Sequence, residues 1–98
     1  MSKARSKARR IALQALYQWE MAGQDLAEIE AQYLADPQSK DAELEYFQEM
    51  IRQIPKQLTD LDGLIEPHLS RPLTQVDPIE RAVLRIGAFE LKHRLDVP

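Results

Sequence analysis

Apolar residues recur at steps of three and four along nearly the whole 98-residue chain, and no convincing run follows the two-residue period of a strand. Ala8, Ile11, Ala12, Ala15, Leu16 and Trp19 form one stripe, which predicts a first helix over about residues 5–22. Gly23 stands where a C-terminal cap belongs. Asp25 and Glu28 give an Asp-x-x-Glu start to a second helix, with Leu26, Ile29, Tyr33 and Leu34 facing inward and Pro37 closing it. Leu44, Phe47, Ile51, Ile54, Leu58, Leu61 and Ile65 continue the three-and-four spacing like a coiled-coil seam, but Pro55 lies within it. A proline there removes a backbone donor, so two bundle helices are expected, about 41–54 and 56–66. Pro67 and Pro72 mark the next connection. Asp77 as cap, Pro78 at the first helical position and Glu80 three residues beyond the cap open the last helix. Ile79, Ala82, Val83, Ile86 and Glu90 mark one of its faces, widened by Leu84, Phe89 and Leu91. The fold class expected is all-α, one domain over residues 1–98.

Composition narrows this picture without redirecting it. Hydrophobic residues make up 44% and charged residues 30%, ordinary values for a globular domain. No apolar run reaches the roughly 18 residues of a membrane span. Gln14, Gln18 and Glu20 interrupt the stretch behind the basic N-terminus, which speaks against a secretory signal. There is no cysteine, so disulfides, thiolate zinc sites and thiol nucleophiles are all excluded. A cytoplasmic location is the expectation.

Charge is spread unevenly along the chain. Of 13 basic residues, Lys3, Arg5, Lys7, Arg9 and Arg10 fall within the first ten positions, where there is no acid. The other 88 residues hold eight bases against 16 acids. A polyanion-binding end on an acidic body fits this asymmetry, and so does a solvated basic tail. At about 100° per residue the apolar stripe of the first helix spans roughly 140°, and Lys3, Lys7, Arg10, Gln14 and Tyr17 project from the other side. Cations beside an exposed ring suit single-stranded RNA, since they neutralise phosphates while the ring offers a stacking surface. Equally, Tyr17 could pack half-buried against a neighbouring helix.

Other chemistry is sparse. His68 and His93 lack metal-ligand spacing and read as surface or helix-end residues. Glu43, Glu45 and Glu49 read as a solvated helix face. No P-loop, HExxH, GxSxG or dinucleotide fingerprint is present. The expectation is a binding protein, not an enzyme, with no cofactor.

Two segments resemble the NusB family. Ala8-Arg9-Arg10-Ile11-Ala12-Leu13-Gln14-Ala15-Leu16-Tyr17-Gln18-Trp19-Glu20 is similar to its arginine-rich opening helix. Ile79-Glu80-Arg81-Ala82-Val83-Leu84-Arg85-Ile86-Gly87-Ala88-Phe89-Glu90-Leu91 is similar to its most recognisable central helix. Tyr46-Phe47 and Leu61-Asp62-Gly63-Leu64-Ile65 sit between them at compatible spacing. The resemblance implies an all-α NusB-like bundle of two small helical subdomains, here residues 1–54 and the start of the second at 55–98. It implies an antitermination factor that recognises boxA, a single-stranded signal in nascent ribosomal or phage transcripts. The implied partners are NusE, which is also a small-subunit ribosomal protein, and the RNA polymerase elongation complex. By that analogy Lys7, Arg9, Arg10 and Tyr17 contact RNA, Lys3 and Arg5 are further candidates, and Glu80 with Arg81 belongs to the partner-facing surface.

The resemblance also implies two further helices after a segment like Asp96-Val97-Pro98, completing the second subdomain. The expectation is therefore a NusB-like fragment, a sequence without its last residues, or an unusual short form, whose 77–93 helix exposes apolar residues that invite self-association or partial disorder. The competing function is a helical interaction module or homodimer whose basic arm attracts polyanions without specificity.

Overall fold

The computed structural model describes residues 3–93, and within them the chain forms five α-helices and four short 3₁₀ turns, with no strand. The Asp96-Val97-Pro98 segment lies outside the described residues. Helix α1 (Lys3–Ala22) buries Ala8, Ile11, Ala12, Ala15 and Leu16, five of the six residues of its predicted stripe, while Trp19 packs partly buried at the stripe's end. Three of those five are alanines. A methyl group is the smallest side chain that still drives burial, so neighbouring helices can approach the α1 backbone closely. Helices α2 (Leu26–Ala35), α3 (Leu44–Gln53) and α5 (Pro78–His93) all pack on α1, and α4 (Leu58–Ile65) packs on α5.

The punctuation follows the predicted chemistry. Gly23 ends α1 with φ +67°, a left-handed conformation open to glycine, and its N–H donates to the Trp19 carbonyl at 3.0 Å. The Asp25 carboxylate accepts from the Glu28 N–H at the start of α2. The Asp77 carboxylate accepts from the Ile79 N–H at 2.8 Å, with Pro78 opening α5. Pro55 divides the seam as expected, through a 3₁₀ turn at Pro55–Gln57. Helix α3, however, starts at Leu44 rather than near residue 41. Asp41 adopts φ +69°, which an aspartate tolerates better than most residues, and turns the chain before the helix can begin.

Tyr46, Phe47, Met50 and Ile51 from α3, with Ile54 just past its end, form the centre of a single core, joined by Ile29, Leu61, Ile65, Ile86 and Phe89. Tyr33 leans on Phe47 with ring centroids 5.9 Å apart. One inward assignment is corrected. Leu34 is exposed on α2, where Ile29 supplies the deep contact and Leu26 and Tyr33 lie partly buried. On α5, Ile79 and Val83 are about half exposed and Leu91 is 79% exposed. The helix is turned so that Arg81 and Arg85, not Ile79 and Val83, join Ala82, Ile86 and Phe89 on the inner side. Ion pairs to Glu20 and Asp62 accompany that rotation, and hydrophobic periodicity does not register them.

The expected apolar exposure on the 77–93 helix is present. Leu64, Ile65, Leu69, Val83, Leu84 and Leu91 line an open groove of about 790 Å³ between α4 and α5.

On the other side Glu30 of α2 pins α3. Its carboxylate accepts from Arg52 at 2.8 and 2.6 Å and from Gln48 at 3.1 Å. The Arg52 hydrogen bonds hold the Glu30 carboxyl below the usual glutamate value of 4.5.

Two predictions follow from this packing. In urea titrations, Phe89→Ala should cost about 3–5 kcal/mol, whereas Leu91→Ala should stay within about 0.5 kcal/mol of the parent. Glu30 contributes stability that is present above its unfolded pKa and lost as pH falls through its lower folded value. From about pH 5 to about pH 3, Tm should therefore fall more steeply in the parent than in Glu30→Gln. Parallel Tm curves for the two proteins would refute this role.

Candidate nucleic-acid interface

The basic residues of α1 fall into two groups with different surroundings. Arg5 and Arg9 turn toward the body. Arg5 forks onto Glu43, with Nε to Oε2 at 2.8 Å and Nη2 to Oε1 at 3.2 Å, and its guanidinium lies 4.9 Å from the Tyr46 ring centroid. Arg9 Nε donates to Glu90 Oε2 at 2.7 Å. Both arginine side chains are about one-fifth exposed, at 17% and 21%.

Lys3 and Arg10 are exposed, and among the described residues neither forms an ion pair. Lys7 Nζ donates to the Lys40 carbonyl at 2.6 Å, which steers the ammonium toward the loop before α3 while leaving its charge unneutralised. These three, with Ser6 and Asp41, line an open depression of about 480 Å³. The turn at Asp41 thus places one carboxylate at the rim of a basic concavity.

Tyr17 lies two turns further along α1 and is 38% exposed. It borders an apolar depression of similar size with Leu13, Met21, Tyr33 and Ile79. Both readings of Tyr17 are partly realised, since the ring meets neighbours yet keeps an open face. Cations, a polar edge at Gln14 and an available ring share one side of a single helix, and no neighbouring element covers Arg10. That arrangement can neutralise phosphates and offer a surface to a base.

The second proposed surface divides in the same way. Glu80 is exposed on the first turn of α5. Arg81 points inward, pairing with Glu20 Oε1 at 2.7 Å and donating to the Leu73 and Thr74 carbonyls at 3.4 Å. Beside it Arg85 forks onto Asp62 at 2.9 and 3.0 Å and reaches Glu20 at 3.4 Å. This cluster ties α1, α4 and α5 together.

Sequence reasoning missed the partners Glu20, Asp62 and Arg85, and it read Glu43 as a solvated helix face. Glu43 is instead half of the Arg5 pair, and its own N–H donates to the Ala4 carbonyl at 2.9 Å. One usable signal was available at Glu90. A carboxylate on the apolar side of α5 had to be paired to be there. His93 ends α5 in an exposed contact with Gln57, and His68 is exposed. Among the described residues no three His, Cys, Asp or Glu side chains converge as a metal site, and no helix is long and apolar enough to cross a membrane.

Comparison with known proteins decides the lineage. The model of the NusB family matches residues 6–98. This chain belongs to the NusB family. It is 46% identical over 98 residues to the transcription antitermination protein NusB of Nitrosococcus oceani, covering 100% of this chain and 66% of that protein. The protein of the same name from Alkalilimnicola ehrlichii is 44% identical over 113 residues, covering 98% of this chain and 64% of that one. The Marinobacter nauticus NusB is 43% identical over 94 residues, with 96% and 60% covered. The chain thus spans two thirds or less of the length of these NusB relatives.

The division of cations predicts a division of stability effects. Arg85→Ala should lower unfolding free energy by about 1–3 kcal/mol, because it leaves Asp62 without its forked partner. Arg10→Ala should leave it within about 0.5 kcal/mol. Equal effects of the two substitutions on thermal melts would contradict the assignment.

Proposed function

We propose that the exposed side of α1 binds single-stranded boxA RNA and that the protein works by assembly in transcription antitermination, not by catalysis. The observation that carries this reading is the placement of Lys3, Lys7 and Arg10 along one open face with Tyr17, outside the ion pairs that occupy Arg5 and Arg9. Phosphates engage the open cations, and Tyr17 stacks on a base at the apolar end of the same face. Arg5 stays forked on Glu43 and Arg9 stays paired with Glu90, so both act by holding the helix in place. Membership of a family whose relatives are named transcription antitermination proteins supports the process. NusE is the proposed partner, meeting the exposed Glu80, with Arg81 holding the start of α5 from beneath. The RNA–protein pair would then join the RNA polymerase elongation complex.

Charge and ring should separate in titration. With boxA RNA followed by fluorescence anisotropy, Arg10→Ala should weaken binding and flatten the log–log salt slope by about one unit. Tyr17→Ala should cost about 1–3 kcal/mol with little change in slope, as for a lost stacking contact. Parent-like affinity in both variants would defeat the site. Equal weak binding of boxA and scrambled RNA would favour an interaction module with nonspecific polyanion attraction.

A further inference from the structure

The first turns of α1 are poorly suited to helix on their own. Lys3 and Lys7, and likewise Arg5 and Arg9, are like charges one helical turn apart. Lys3 and Arg5 also stand in the first turn, where the helix macrodipole is positive, with no acid there to offset it.

Tertiary contacts supply the missing anions. One carboxylate oxygen of Glu90, on α5, accepts both from Arg9 Nε and from the Tyr46 hydroxyl of α3. The Tyr46 ring underlies Arg5, and Arg5 forks onto Glu43, whose N–H in turn holds the Ala4 carbonyl. A continuous chain of contacts therefore runs from α5 through α3 to the first turn of α1. Glu90 is 16% exposed, so its pair with Arg9 is screened less than a surface pair.

We propose that Glu90 is a positioning residue for RNA binding. Through Arg9 and Tyr46 it keeps the first turns of α1 helical, so that Lys3, Lys7 and Arg10 meet RNA as one ordered face. The inference rests on the RNA-binding reading above. It also reverses a simple electrostatic expectation. A carboxylate close to a polyanion site repels the ligand, so neutralising it should tighten binding. As an organiser, its loss should weaken binding.

The test is Glu90→Gln in the full chain, titrated with boxA RNA across a salt series, beside Tyr46→Phe, which keeps the ring under Arg5 and removes only the hydroxyl. Glu90→Gln should lose up to about tenfold in affinity, the scale of one charge-assisted hydrogen bond. Its salt slope should match the parent, since no phosphate contact is removed. Tyr46→Phe should shift affinity the same way by less. Hydrogen exchange gives a readout without RNA. The amides of residues 7–10, which donate to the carbonyls of residues 3–6, should exchange faster in both variants while those of α4 do not. Tighter or unchanged RNA binding by folded Glu90→Gln overturns the proposal. So does unchanged exchange at residues 7–10 in Tyr46→Phe, should Glu90→Gln not fold. Failure of the underlying reading looks different: the parent itself would show no saturable RNA binding.

Discussion

Helix α1 carries its charges against its own dipole at both ends. Five cations stand at the N-terminal end, and Glu20 stands in the last turn, which holds no basic residue. The dipole acts within about one turn of each end, so Lys3, Arg5 and Glu20 feel it most, at a few tenths to about 1 kcal/mol each when exposed. The fold answers from elsewhere, with Glu43 and Glu90 at one end and Arg81 and Arg85 at the other. The helix that carries the proposed site thus relies on charges supplied by its neighbours. Its neighbours owe their placement partly to that demand.

Packing and charge constrain each other in α5. Ala82, Ile86 and Phe89 turn into the core while Ile79 and Val83 stay half exposed. The same orientation brings Arg81 and Arg85 to Glu20 and Asp62, and Glu90 to Arg9. The alanine stripe of α1 makes this workable, because close backbone approach brings the charged side chains at its flanks within hydrogen-bond distance.

The helices and their breaks were legible because each rests on local chemistry: the stripe of α1, glycine after Ala22, Pro55, and aspartate before Pro78. The basic end and the aromatic on its polar side were legible for the same reason. What sequence periodicity could not reveal is partnership across the fold. Arg5 and Arg10 look alike in sequence, yet one is forked onto Glu43, 38 residues away, and the other is open. Glu43 and Glu45 likewise look alike, and only tertiary structure separates a pair from a solvated charge. The bare cap of α3 has this origin too. Glu43 occupies its cap position without making a side-chain cap bond, because that carboxylate is engaged with Arg5.

The groove between α4 and α5 gives the protein a second surface with opposite solvent preferences. Contacts with phosphates release bound counterions and weaken as any salt is added. Apolar association strengthens with strongly hydrated anions such as sulfate, which are excluded from protein surfaces. A single change of buffer therefore drives the two faces in contrary directions. With RNA on α1 as proposed, the kind of anion as well as the ionic strength would shift the balance between the two surfaces.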